Sequence, residues 1–316
     1  MRLRILIAAL LAIIMTPTAA AQASQAAPAA VAAAVTAANA AEADASAAEV
    51  DAKGAAGAGA DAAGVRAAAP ATWSPPSHLV TPLNQVWQHQ EQTYGNLYGF
   101  RNYGWDQVMA NRGYINYCVR WDSSSTVTAA QRDQIHAALA RQHKKWMDEL
   151  VGHNAWPYGD VPVRVVGWAV RNRSQLQWSD TSVAIYVNDI RENAPQCSVP
   201  CGRFFNQNGQ YPNCPGGYAR HYDQSLWLTD GFGGGAGGDW GQRVGKEYFM
   251  NNINAANMHI LLHEIGHTWG LDDFYDWTPS GVGGFLMKAG SATSITEFDA
   301  WMFRDWWRHL KSRYGY

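Results

Sequence analysis

Apolar residues recur at helical spacing in three stretches of this chain, and short β-rich runs lie between them. Over residues 128–151, Ile135, Leu139, Trp146 and Leu150 share one helical face, and Thr128 is placed to cap it. Over residues 254–269, Ala255, Met258, Leu261, Leu262, Ile265 and Trp269 repeat the period, with Asn residues before them able to cap. Over residues 296–312, Phe298, Met302, Trp306 and Leu310 form a third stripe. Residues 114–121, 163–170 and 183–187 read as strands, and Leu226-Trp227-Leu228 as a shorter one. Strand, helix, several strands, then two helices predict an α+β fold with a mixed, twisted sheet.

The N-terminal part has a different composition. Met1-Arg2-Leu3-Arg4 precedes an apolar run of eleven residues from Ile5 to Met15, and small-residue cleavage sites follow it, so residues 1–23 read as a signal peptide. That run is too short to cross a bilayer, and no later stretch is long enough. From Ala19 to Thr72, 30 of 54 residues are alanine, with no aromatic and no cysteine. Such a segment has little to bury, so residues 24–72 read as a disordered linker or pro-segment. The folded domain is then expected over residues 73–316, in an exported protein, extracellular or periplasmic, and monomeric.

All 15 tryptophans and all 4 cysteines fall in residues 73–316. An even cysteine count in an exported chain points to disulfides, and Cys118, Cys197, Cys201 and Cys214 allow three pairings. A net charge of −2 gives no sign of a nucleic-acid partner or an anionic membrane. Most tryptophans sit on core stripes; Trp105, Trp156, Trp178 and Trp240, beside Gly or Pro, are the ones to test as sugar-stacking platforms. The glycine-rich stretch 231–241 lacks the Gly-Lys-Ser/Thr of a phosphate loop and carries one copy of a calcium-repeat pattern, so it reads as a mobile loop near a substrate cleft.

The second helix carries the chemistry. His263-Glu264-Ile265-Gly266-His267 is an H-E-x-x-H pattern, in which residues four apart face the same way and can hold one metal ion. Glu264 is placed to take a proton from a water that the metal activates. Gly270 suits the end of the helix, where positive φ is needed, and the turn there carries Asp273 back toward the two histidines. Asp273 is the best-placed third ligand, with Asp272 and Asp276 as rivals. His259 continues the i, i+4 row, but one ion cannot reach three such positions on a regular helix, so it reads as a helix-start or supporting residue.

From His263 to Asp273 the pattern H-E-x-x-H-x-x-G-x-x-D resembles the metzincin zinc endopeptidases whose third ligand is aspartate, and is most similar to the snapalysin family. Tyr275 falls where that family has a tyrosine supporting the transition state. Leu286-Met287-Lys288-Ala289-Gly290 is similar to the Met-turn, which puts a methionine beneath the metal. The resemblance covers about residues 263–290. The chain is longer than snapalysin, and Ala289 stands where some metzincins have the tyrosine of Met-x-Tyr. The resemblance implies a metzincin-like α+β domain with a long N-terminal-side helix, an active-site helix, a Met-turn and a C-terminal helix. It also implies a Zn²⁺ cofactor on His263, His267 and Asp273, with Glu264 as general base. Gly270 and Met287 would be structural supports, and Tyr275 a catalytic aid.

The expected function is a secreted zinc endopeptidase acting on protein or peptide. Two alternatives stand beside it: a zinc hydrolase of cell-wall or glycopeptide substrates, and a carbohydrate- or surface-binding module with a vestigial metal site. An intact Glu264 argues against the last, because a binding module needs no base.

Overall fold

The computed structural model describes residues 72–316, an α+β domain with a mixed sheet. The signal-peptide and Ala-rich expectations lie outside the described residues. Two helices come first, α1 (Ser77–Thr93) and α2 (Gly104–Ala110), followed by β1 (Ile115–Asp122), α3 (Ala129–Asp148), β2 (Val163–Val170) and β3 (Ala184–Val187). After a long irregular stretch come β4 (Gln224–Thr229), β5 (Gly235–Gly238), β6 (Gly241–Gly245), α4 (Lys246–Asn251), α5 (His259–Thr268) and α6 (Glu297–Leu310).

These six strands form one sheet in the order β3-β2-β1-β4-β6-β5. Every pairing is parallel except that of the edge strand β5, which runs antiparallel to β6. Alternation along β1 divides the sheet's two faces. Tyr117, Val119 and Trp121 enter the main core with α3, α5 and α6, whereas Cys118 enters a smaller cluster with Cys197, Cys201, Cys214, Tyr211 and Tyr222. The cysteines pair as Cys118–Cys197 and Cys201–Cys214, so the stretch between β3 and β4 is tied to β1 and stapled within itself. Among the described residues, no helix is long and apolar enough to cross a membrane.

Thr128 caps α3 in a reciprocal box with Gln131, and Thr296 caps α6 in the same way with Asp299. The α5 boundary differs from the expected 254–269. Residues 246–251 form the separate helix α4, and α5 starts at His259 with no side-chain cap from the asparagines. Gln142 of α3 does that work instead. Its Oε1 accepts the Met258 N–H at 3.1 Å, and its Nε2 donates to the carbonyls of Ala255 at 3.4 Å and Ala256 at 3.2 Å.

The glycine-rich stretch is not a loop. Residues 235–238 are β5, and glycine is needed there because the strand lies directly on α5. A Cβ on Gly237 would come within 2.3 Å of the Glu264 carbonyl oxygen, and one on Gly235 within 2.1 Å of Glu264 Oε1. Three of the inspected tryptophans are core residues: Trp105, Trp156 and Trp178 are all buried, while Trp240 is half-buried. Buried indoles offer no stacking platform to a sugar.

Candidate metal centre

The site is built on α5 and the two segments that follow it. Along α5, Leu261, Leu262 and Ile265 pack into the core, which leaves His263 and His267 on the face one turn apart. The helix ends in a Schellman arrangement: the Leu271 N–H reaches the Gly266 carbonyl and the Gly270 N–H reaches that of His267. Gly270 has φ +97°, and a Cβ there would also strike the Trp306 ring. The reversal brings Asp273 back over the helix.

Three ligand atoms then converge. His263 Nε2 and His267 Nε2 are 3.1 Å apart, and Asp273 Oδ1 lies 3.0 Å from the first and 3.5 Å from the second. His263, His267 and Asp273 form the one such His/Cys/Asp/Glu group among the described residues, with its ligand atoms within 4.8 Å of one another. Both imidazoles are oriented from behind. His263 Nδ1–H donates to the Leu286 carbonyl at 2.9 Å, and His267 Nδ1–H donates to the Leu271 carbonyl at 2.7 Å. Because a carbonyl only accepts, both Nδ1 atoms carry the hydrogen and both Nε2 lone pairs point inward.

Neutral imidazoles tolerate such an approach of lone pairs only around shared positive charge, so the donor set fits a metal ion. A proton can meet the same need for positive charge, and the titration directions follow from that. Burial would depress the His267 imidazole, but Asp273 and then Glu264 raise it to about 10. Burial would raise Asp273, yet the His267 charge and hydrogen bonds from both imidazoles hold it far below the ordinary carboxylate range. Two histidines and one carboxylate are a donor set suited to Zn²⁺, with a further position left for water or substrate.

Glu264 is buried beside the group, its Oε2 3.9 Å from His267 Nε2. Burial pushes its carboxyl upward, against the pull of the two histidines. Tyr275 is half-exposed at 53 % and its phenol lies against Asp273. Burial, then the Asp273 charge, raise that phenol well above its usual value, so it stays protonated and able to donate.

The remaining sequence candidates are placed as follows. Met287 is fully buried and packs its sulfur against Gly266 on the underside of α5. Asp272 turns away from the ligand atoms to accept from Tyr94 at 2.5 Å and Gln90 at 3.3 Å. Asp276 is not part of the converging group. His259 is the first residue of α5, and its Nδ1 pairs with the Tyr248 hydroxyl at 3.0 Å.

One supporting residue escaped the sequence reading. Asp299, fully buried in the first turn of α6, accepts the N–H groups of Leu286 and Met287 at 2.8 and 3.1 Å. The signal was present in outline, since Thr296-x-x-Asp299 is a capping-box pattern, but its reach to residues 286–287 is tertiary. Comparison with protein-family models, with curated proteins and with solved structures finds no match for this chain.

Proposed function

We propose that the chain is an exported zinc endopeptidase of the metzincin type, with His263, His267 and Asp273 as ligands and Glu264 as general base. The observation that carries this reading is the convergence of two Nε2 atoms and Asp273 Oδ1 with the buried Glu264 carboxylate beside them. A bound Zn²⁺ would lower the pKa of a water and polarise a scissile carbonyl. Glu264 removes the proton from that water as it attacks and passes it to the leaving amine. Burial raises its carboxyl, which favours taking up the proton it must then pass on. Tyr275, held protonated, donates a hydrogen bond to the developing oxyanion.

The edge strand β5 supports a peptide as substrate. Among the described residues its outer side has no partner strand, and its glycines let the strand lie against Glu264. An extended peptide can add there by main-chain hydrogen bonds, with its carbonyl delivered to the metal. The turn at residues 286–290, with Met287 under α5, supports the metzincin assignment.

The test is a casein zymogram of the purified chain with and without 1,10-phenanthroline, run beside Glu264→Gln. Clearing should require the metal and be lost in the variant, while zinc content stays near one per chain. Normal clearing by Glu264→Gln would sink the mechanism.

A further inference from the structure

The loop that supplies Asp273 has no regular secondary structure, so contacts from elsewhere must hold it. Several come from α1 and the residue after it. Gln85 and Ser280 exchange two hydrogen bonds, Gln85 Nε2 to Ser280 Oγ at 3.1 Å and Ser280 N–H to Gln85 Oε1 at 2.7 Å. His89 packs at a tilt on Trp277, with ring centroids 4.4 Å apart. Two turns of α1 therefore grip residues 277–280, on the far side of Asp273.

The contact nearest the metal ligand is of a different kind. Asp272 precedes Asp273 directly, and its two carboxylate oxygens are both engaged: Tyr94 O–H donates to Oδ1 at 2.5 Å and Gln90 Nε2–H donates to Oδ2 at 3.3 Å. A carboxylate one residue from the ligand is a rival for the same ion. Both lie on the loop that closes over the histidines, and sequence spacing alone does not separate them. The Tyr94 hydroxyl separates them by occupying Asp272 and turning it toward α1. Tyr94 itself is more than one-third exposed, so its ring contributes less to the core than its hydroxyl does to the loop.

We infer that Tyr94, aided by Gln90, is a positioning residue that withholds the Asp272 carboxylate from the metal and so makes Asp273 the ligand. The inference rests on the zinc-site reading above. Outer partners of this kind set metal affinity by about ten- to a hundredfold.

The experiment measures metal binding by the full chain, independent of turnover. Zinc affinity is read by chelator competition, and the ligand field by the visible spectrum of the Co²⁺-substituted protein. Tyr94→Phe should bind Zn²⁺ about tenfold more weakly and show a changed Co²⁺ spectrum, with the metal-free protein still folded by circular dichroism. Asp272→Asn keeps an oxygen for the Tyr94 hydroxyl and should behave as wild type. In the double variant, Tyr94→Phe with Asp272→Asn, the rival carboxylate is gone and the wild-type spectrum should return. An unchanged spectrum in Tyr94→Phe, or one that Asp272→Asn fails to bring back, overturns the inference while leaving the zinc site standing. A wild-type chain that takes up neither Zn²⁺ nor Co²⁺ overturns both.

Discussion

Asp299 and His263 hold opposite ends of Leu286. The Asp299 carboxylate accepts the Leu286 N–H at 2.8 Å, and the Leu286 carbonyl accepts the His263 Nδ1–H at 2.9 Å. The first turn of α6 thereby reaches the His263 imidazole through one residue of the turn beneath it. The same carboxylate also accepts from Met287 and Thr296, which makes it a hub for the turn and for the α6 cap.

Removing that hub should be costly. Asp299→Ala leaves several buried N–H and O–H donors without an acceptor, each worth about 1–3 kcal/mol. Urea unfolding of the metal-free protein should show a loss of at least about 3 kcal/mol. Asp299→Asn keeps one oxygen and should fall between. In both, zinc affinity should drop as His263 loses its backing. Wild-type zinc affinity in a folded Asp299→Ala protein would show that the linkage to His263 carries no weight.

The β5 glycines make a sharper separation between chemistry and fold. A methyl group on Gly235 meets the Glu264 side chain, 2.1 Å from Oε1 and 2.6 Å from Cγ, and that side chain can take another rotamer. A methyl on Gly237 meets the Glu264 backbone carbonyl, at 2.3 Å, which cannot. Gly235→Ala should therefore fold, bind zinc normally and lose about 10²-fold in kcat through the displaced base. Gly237→Ala should instead lower the melting temperature or the yield of folded protein. Equal kcat for Gly235→Ala and wild type would show that Glu264 does not need its present position.

What could be read in advance, and what could not, follows from the range of the interactions. Strand β2 was legible to the residue because 163–170 is rich in valine and bounded by turns, and the cap at Thr128 because N-capping is local. The converging trio was legible because i, i+4 spacing and the Gly270 turn are both local geometry. Helix α1 was missed: Pro82 lies within it, and its polar face, where Gln85, His89 and Gln90 meet the ligand loop, has no periodic signature. The 231–241 stretch was misjudged because glycine content suggests freedom, whereas here it permits close packing on Glu264. Gln142 replacing the expected asparagine caps is a contact across more than a hundred residues. Each miss is a tertiary contact overriding a local preference.

The two disulfides should contribute unequally. Cys118–Cys197 closes a separation of 79 residues and Cys201–Cys214 one of 13, so the first removes more unfolded-state freedom. Paired replacement by Ser should cost about 4 kcal/mol for the long loop and about 3 kcal/mol for the short one. The first pair also fastens β1 to the stretch before β4, so its loss should raise protease sensitivity within residues 190–222. A larger loss from the short loop would mean that native packing, not chain freedom, sets the order.

Acid should unfold the domain, and two buried histidines set the range. His143 lies wholly inside α3 against Tyr117 and Trp269, and burial lowers its pKa to about 3. His136 accepts the Trp168 indole N–H at 2.8 Å, and burial followed by the Arg132 charge lowers it to about 4. Both are depressed below the unfolded value near 6.5. Their neutral forms thus stabilise the fold fully above pH 6.5, and that contribution is lost as pH falls toward 4 and then 3. Asp223 acts in the opposite sense. Burial raises it to about 6, so the fold favours its protonated form, and that contribution is lost as pH rises from about 4 through 6. Glu264, Asp272 and Asp299, each raised by burial, act with Asp223, so the histidines' loss of about 1.4 kcal/mol per pH unit for each below 6.5 is partly offset. In urea unfolding of the metal-free protein, His143→Leu should remove about 2.8 kcal/mol of acid loss between pH 6.5 and 4.5 (two pH units at about 1.4 kcal/mol each), whatever its effect at pH 7. A pH profile of the same slope in the variant would remove His143 as a source of the acid sensitivity and leave His136 to account for it.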